Sequence, residues 1–118
     1  MRVHRIVTNL AVGDIEESKS FYTDFLGLNN EEFNLGWVAR YSDAEAATSV
    51  QLVTHDATSP DDSVISAMTE DVEDAYEEAL RLGLDIVHPL TREAWGVHRF
   101  LVRAPDGNVI NIVGHPHR

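Results

Sequence analysis

Apolar and polar positions along this chain repeat at two different periods, and the two periods come round in the same order twice. Val3–Val12 alternates at period two, with Ile6, Leu10 and Val12 on one face and Val3, Val7 and Asn9 on the other. Both faces are mostly apolar, which predicts a strand with a helix behind it and a lined cavity in front. Asp14 then reads as an N-cap with Glu17 three residues on. Ile15, Ser18, Phe21, Tyr22 and Phe25 recur at helical spacing up to Gly27, a natural helix stop. Leu28–Phe33, Trp37–Tyr41 and Ser49–Thr54 return to short strand patterns, separated by Asn34–Gly36 and the polar-to-small stretch Ser42–Thr48. The first pass is therefore βαβββ.

The second pass begins after His55–Asp62, whose Ser, Pro and Asp content marks a connection. Ser63–Met68 alternates again. Asp71 caps a stripe of Val72, Ala75, Tyr76, Ala79, Leu80 and Leu82 that stops at Gly83. Leu84–Leu90, Val97–Val102 and Val109–Val113 supply three more strands, and Ala104-Pro105-Asp106-Gly107-Asn108 is a tight-turn signal. Both predicted helices close on the same tripeptide, Leu26-Gly27-Leu28 and Leu82-Gly83-Leu84, a little under half the chain apart. An internal repeat follows: one domain made of module one at 1–56, a linker at 57–62 and module two at 63–118, with Gly114–Arg118 a short polar tail.

Composition narrows the partners. The 118 residues, 43% of them apolar, are enough for one core. No apolar run reaches the 18 residues a membrane span needs, and the first residues enter a strand pattern directly rather than a leader, so a cytoplasmic protein is expected. The absence of cysteine removes disulfides, thiolate metal sites and cysteine nucleophiles together. A net charge of −11 repels phosphate backbones and anionic membranes, so neither nucleic acid nor membrane is an expected partner.

The tandem βαβββ pattern, the opening Val12-Gly13-Asp14-Ile15 with Ser18, Phe21-Tyr22 and Leu26-Gly27-Leu28, and the closing strand Pro105-Asp106-Gly107-Asn108-Val109-Ile110-Asn111-Ile112 resemble the vicinal oxygen chelate superfamily. That superfamily includes glyoxalases, extradiol dioxygenases and bleomycin-resistance proteins. The resemblance covers essentially the whole chain. It implies an α+β fold in which the modules form a curved mixed sheet with a cleft, and a homodimer. In members that do chemistry it also implies a divalent metal held by four side chains. Carried over position by position, those ligands fall on Val7, Gln51, Val64 (or Ser63, one residue away) and Asn111. Valine has no donor atom, and Asn111 stands where such enzymes have Glu, so this quartet is not expected to retain a metal.

The six histidines do not rebuild the site. His4 lies at an odd offset from Val7 and faces the other way. His55 shares parity with Gln51 but sits about 13 Å along the strand from it, at roughly 3.3 Å per residue. His88 and His98 either line a pocket or sit partly exposed in the sheet, and His115 and His117 lie in the tail. No helical H-x-x-x-H, H-E-x-x-H or G-x-S-x-G spacing occurs.

What the implied cleft keeps is Val7, Asn9, Gln51, Val53, Val64, Ser66 and Asn111, an apolar lining with a few neutral hydrogen-bonding groups, with Phe100 added beside them. Trp37 and Trp95 occupy corresponding places in the two modules. They either stack on a flat ligand or plug the core or a dimer seam. The expected function is therefore metal-free, cofactor-free binding of a small apolar or aromatic molecule, in sequestration or resistance. The alternatives are a metal-dependent lyase or dioxygenase with relocated ligands, and a metal-free enzyme that polarises a carbonyl through Asn9 and Asn111.

Overall fold

The computed structural model describes residues 1–43, 45 and 48–114. Residues 115–118 of the tail, His115 and His117 among them, with part of the Ser42–Thr48 connection, lie outside them, whereas Gly114, expected in the tail, is buried at the end of the last strand. The order is β1 (Val3–Ala11), α1 (Ile15–Ser20) continued by a π-helical turn (Phe21–Phe25), β2 (Asn30–Asn34), β3 (Val38–Asp43), β4 (Thr48–Val53), β5 (Ile65–Thr69), α2 (Val72–Arg81), β6 (Asp85–Arg92), β7 (His98–Arg103) and β8 (Val109–Gly114). This is βαβββ twice, an α+β fold, with every strand within two residues of its expected span.

The chain divides into two compact units, Val7–Thr58 in one and Met1–Ile6 with the chain from Ser59 onward in the other. In the first unit the strand order is β2-β3-β4-β1, and in the second β1-β5-β8-β7-β6, with β1 contributing a half to each. Pairing is mixed: β1 with β4 and β5 with β8 are parallel, while β2·β3, β3·β4, β6·β7 and β7·β8 are antiparallel. A helix inside each module makes the parallel return possible.

Each unit buries the same kind of surface. In the first, Ile15 of α1 packs on Ala39, Tyr41 and Leu52, with Leu10, Val12, Tyr22, Leu28 and Val50 around them. In the second, Val72, Ala75 and Ala79 of α2 pack on Ala67, Phe100, Val102 and Ile112, with Tyr76, Ile86, Leu90 and Ile110 around them. Alternation thus gives each group of strands a helix-facing side and a helix-averted side.

The helices begin and end as their sequences dictate. Asp14 accepts the Glu17 N–H at 3.0 Å and Asp71 the Asp74 N–H at 3.1 Å, satisfying donors that the first turn leaves over. At the end of α2, Gly83 (φ 70°) lets its own N–H reach the Leu80 carbonyl and that of Leu84 reach Ala79. Helix one departs from expectation. Its last turn is wider, with the Leu26 N–H on the Phe21 carbonyl at 3.1 Å. A wider turn advances each residue through a smaller angle, so Phe25 misses the buried stripe and stands 77% exposed, stacked on Phe21 at 5.3 Å.

Candidate functional site

On the helix-averted side of the first unit, Asn9 of β1 stands in register with Gln51 of β4, and Gln51 with Arg40 of β3. The Gln51 amide donates to Asn9 Oδ1 at 2.6 Å and accepts from Arg40 Nε at 2.8 Å. Arg40 also donates to Glu32 at 3.3 Å and lies 4.8 Å from the centre of the Phe33 ring. Val53 stands in register with Ala11 and Val38 on the same side, and Val7 is buried there.

In the second unit, Ser66 of β5, Asn111 of β8, Leu101 of β7 and His88 of β6 stand in register across four strands. Asn111 donates to the Ser66 hydroxyl at 3.1 Å. Its Oδ1 is buried and has no hydrogen-bond partner among the described residues, in a residue only 9% exposed. Further along this side Glu93 Oε2 accepts from Arg99 Nε at 2.6 Å and lies 3.1 Å from His88 Nε2. The Arg99 guanidinium sits 5.2 Å from the centre of the Trp95 ring. Arg99 is 2% exposed, a burial that a guanidinium tolerates only with a carboxylate partner.

Two members of the expected lining stand elsewhere. Phe100 is a core residue: 1% exposed, it meets α2 through Tyr76, ring centres 5.0 Å apart, on the helix-facing side. β7 carries apolar residues at both parities, so alternation did not distinguish its faces. Val64 precedes β5 and is 43% exposed, its N–H bonded to the Val109 carbonyl. Trp37 immediately precedes β3 and is half-buried, its carbonyl taking the Thr54 N–H at 2.9 Å. Trp95 lies in the turn between β6 and β7, beside Arg99.

The charged members Arg40, Glu32, Glu93 and Arg99 were missing from the expected lining. An arginine inside an otherwise apolar strand, as in Val38-Ala39-Arg40-Tyr41 and Arg99-Phe100-Leu101-Val102, is the signal that finds them. The donor set does not suit a divalent metal. Val7 offers no atom and both ends of the Gln51 amide are engaged by Asn9 and Arg40. Among the described residues no group of three or more His, Asp, Glu or Cys side chains comes together as a metal site. A groove of about 850 Å³ lies beside the first turns of α2, lined by His4, Glu70, Asp71, Asp74, Glu78 and Arg81 among others. It contains none of the candidate-site side chains of β1, β3, β4 and β5–β8 described above, and its Glu78 already holds the N-terminal ammonium at 3.0 Å.

Tandem βαβββ units with polar groups on their helix-averted strands define a class of fold found in binding proteins and enzymes alike. The chain belongs to the Glyoxalase/Bleomycin resistance protein/Dioxygenase superfamily, whose profile matches residues 2–112. Among solved structures it is similar to one described as NAD-dependent benzaldehyde dehydrogenase from Legionella pneumophila. The two are 14% identical over 95% of this chain and 100% of that one, with a TM-score of 0.74. It is also similar to a glyoxalase/bleomycin resistance protein/dioxygenase superfamily member from Vibrio splendidus 12B01 (20%, 93% and 97%, TM-score 0.68) and to a hypothetical protein from Methanosarcina mazei (17%, 98% and 95%, TM-score 0.70). At these identities the likeness is one of fold. No curated protein matches the chain. Among the described residues no helix is long and apolar enough to cross a membrane.

Proposed function

We propose that the chain is a metal-free binding protein for a small, flat, mainly apolar organic molecule, held on the helix-averted side of β5, β8, β7 and β6. It acts by sequestration, as a cytoplasmic homodimer. The observation that carries this reading is the Asn111 Oδ1 atom, buried and without a hydrogen-bond partner among the described residues. Such an acceptor costs a fold about 1–3 kcal/mol, a cost retained where another molecule uses the group. Asn111 and Ser66 are neutral, and neutral amide and hydroxyl groups orient a ligand without supplying a base. Exposed Phe21, Phe25 and Leu26 offer an apolar patch of the kind a second copy covers.

The test is Asn111→Leu, compared with wild type in a thermal-shift and tryptophan-fluorescence screen of planar aromatic compounds. Leucine removes the orphan acceptor, so the variant is expected to fold with an unchanged or higher midpoint while losing the ligand-induced shift seen in wild type. A variant that still responds as wild type does would dismiss Asn111 as the anchor. A wild-type midpoint raised by micromolar Ni, Mn, Co or Zn would replace this reading with a metal-dependent one.

A further inference from the structure

His88 is placed by an irregularity. Ile86 pairs with Val102 on the helix-facing side, and two register shifts follow, between Ile86 and His88 and between His88 and Thr91. Undisturbed alternation from Ile86 would return residue 88 to the helix. The first shift instead sets His88 opposite Leu101, on the helix-averted side, while Leu90 still joins the α2 core. Bulges of this kind re-aim single side chains and recur beside functional sites.

What the bulge presents is a histidine with a defined free end. Glu93 Oε2 already accepts from Arg99 Nε at 2.6 Å, and a carboxylate so engaged has only acceptor capacity to offer the imidazole. His88 Nε2, 3.1 Å from that oxygen, therefore carries the proton and donates it, which in the neutral ring leaves Nδ1 as a bare acceptor. Nδ1 has no hydrogen-bond partner among the described residues, and the side chain retains 12% of its exposure. The opposite charges of Glu93 and Arg99 offset each other beside the imidazole. Trp95 is half-buried, with the Arg99 guanidinium 5.2 Å from its ring centre.

We propose that His88 Nδ1 is a second acceptor of the same site, so that the ligand is a neutral aromatic with a weakly acidic O–H or N–H at each end. One donor meets Asn111 Oδ1 and the other His88 Nδ1. The two residues stand two strands apart in one register row, about 10 Å at the usual strand spacing. That is roughly the reach of a two-ring aromatic and its two hydrogen bonds. Leu101 between them is apolar and fully buried. This inference rests on the binding reading above and deepens it.

The probes are 2,6-dihydroxynaphthalene, 6-methoxy-2-naphthol and 2,6-dimethoxynaphthalene, which keep one shape while losing one donor and then both. In wild type each lost hydroxyl is expected to weaken binding about tenfold, the worth of one hydrogen bond to a site left with an unpaired acceptor. In His88→Phe the diol and the monoether should bind alike, while the diether stays weaker through Asn111. His88→Gln, whose amide oxygen accepts, should recover part of the missing step. Long-range proton–nitrogen correlation of the unliganded protein should find His88 in its Nε2–H form. Equal steps in wild type and His88→Phe, or an Nδ1–H ring, would overturn the role of His88 and leave the binding reading standing. A wild-type protein that binds none of the three would overturn both.

Discussion

Gly114, the last residue of β8, lies against the first residue of α2 so closely that a Cβ added there would sit 2.7 Å from Val72 Cγ1 and 2.8 Å from its Cβ. Valine is stiff at χ1 and cannot step aside. Gly114→Ala is therefore expected to cost about 1–3 kcal/mol, the usual range for overpacking, read as a lower urea midpoint with unchanged slope. Tyr41 offers a test in pH. Burial, and then its 2.8 Å hydrogen bond to Glu31, hold its phenol well above the ordinary value near 10. A raised folded value means that the protonated phenol is the form the fold favours. Its contribution is complete below about pH 10 and is lost as pH rises beyond that. The wild-type melting temperature should therefore fall above pH 10 more steeply than that of Tyr41→Phe, and parallel curves would remove Tyr41 as the cause. At this scale alternation set Asn9, Gln51, Ser66 and Asn111 on one expected lining, but the pairs Asn9–Gln51 and Ser66–Asn111 depend on which strands lie side by side, which alternation did not name. It missed Arg40 and Arg99, since parity assigns a face and says nothing of the carboxylate that makes a buried cation tolerable.

At the scale of elements, the helices and strands were legible wherever one periodicity held without interruption. Val72, Ala75, Tyr76 and Ala79 of the expected stripe pack in the α2 core, whereas Leu80 and Leu82, placed on the same stripe, are exposed. The π-helical turn at Phe21–Phe25 and the two shifts around His88 were not legible. Each is one residue gained or lost against a partner, a property of the pairing that the chain alone does not carry. The first turn of α2 adds a prediction of its own. The hydrogen bond between the Asp74 and Asp71 side chains, followed by the negative charge of Asp71, holds the Asp74 carboxyl above its usual value. A raised folded value favours the protonated form, so what Asp74 adds to stability is present below about pH 4 and lost as pH rises. At neutral pH the two carboxylates repel. Asn at this position keeps a donor for Asp71 without the second charge, so Asp74→Asn should melt higher than wild type at pH 7 and match it near pH 3.5. A variant that melts lower at pH 7 would give the greater weight to the helix dipole, which favours an anion there.

The whole molecule carries −11, and the cations whose ion pairs are described already sit on carboxylates: Lys19 on Glu16, Arg40 on Glu32, Arg92 on Glu73, Arg99 on Glu93, and Arg103 on Asp61 and Asp85. The acidic excess is thus unscreened except by solvent ions, and self-repulsion works against the folded state. Raising NaCl from about 0.01 M to 0.5 M shortens the screening length from about 30 Å to well under 10 Å, so the melting temperature should climb. Association would climb with it, because two like-charged chains also repel. Protein concentration separates the two effects. A homodimer melts higher when more concentrated, whereas relief of repulsion within one chain does not depend on concentration. Phe25→Asp places a charge in the exposed apolar turn offered as the dimer surface. It is expected to abolish the concentration dependence, with light scattering reporting one chain, and to leave the salt dependence in place. If wild type melts at one temperature across a hundredfold range of concentration and scatters as a single chain, the dimer is withdrawn while the charge argument stands. A melting temperature indifferent to salt would withdraw the charge argument itself.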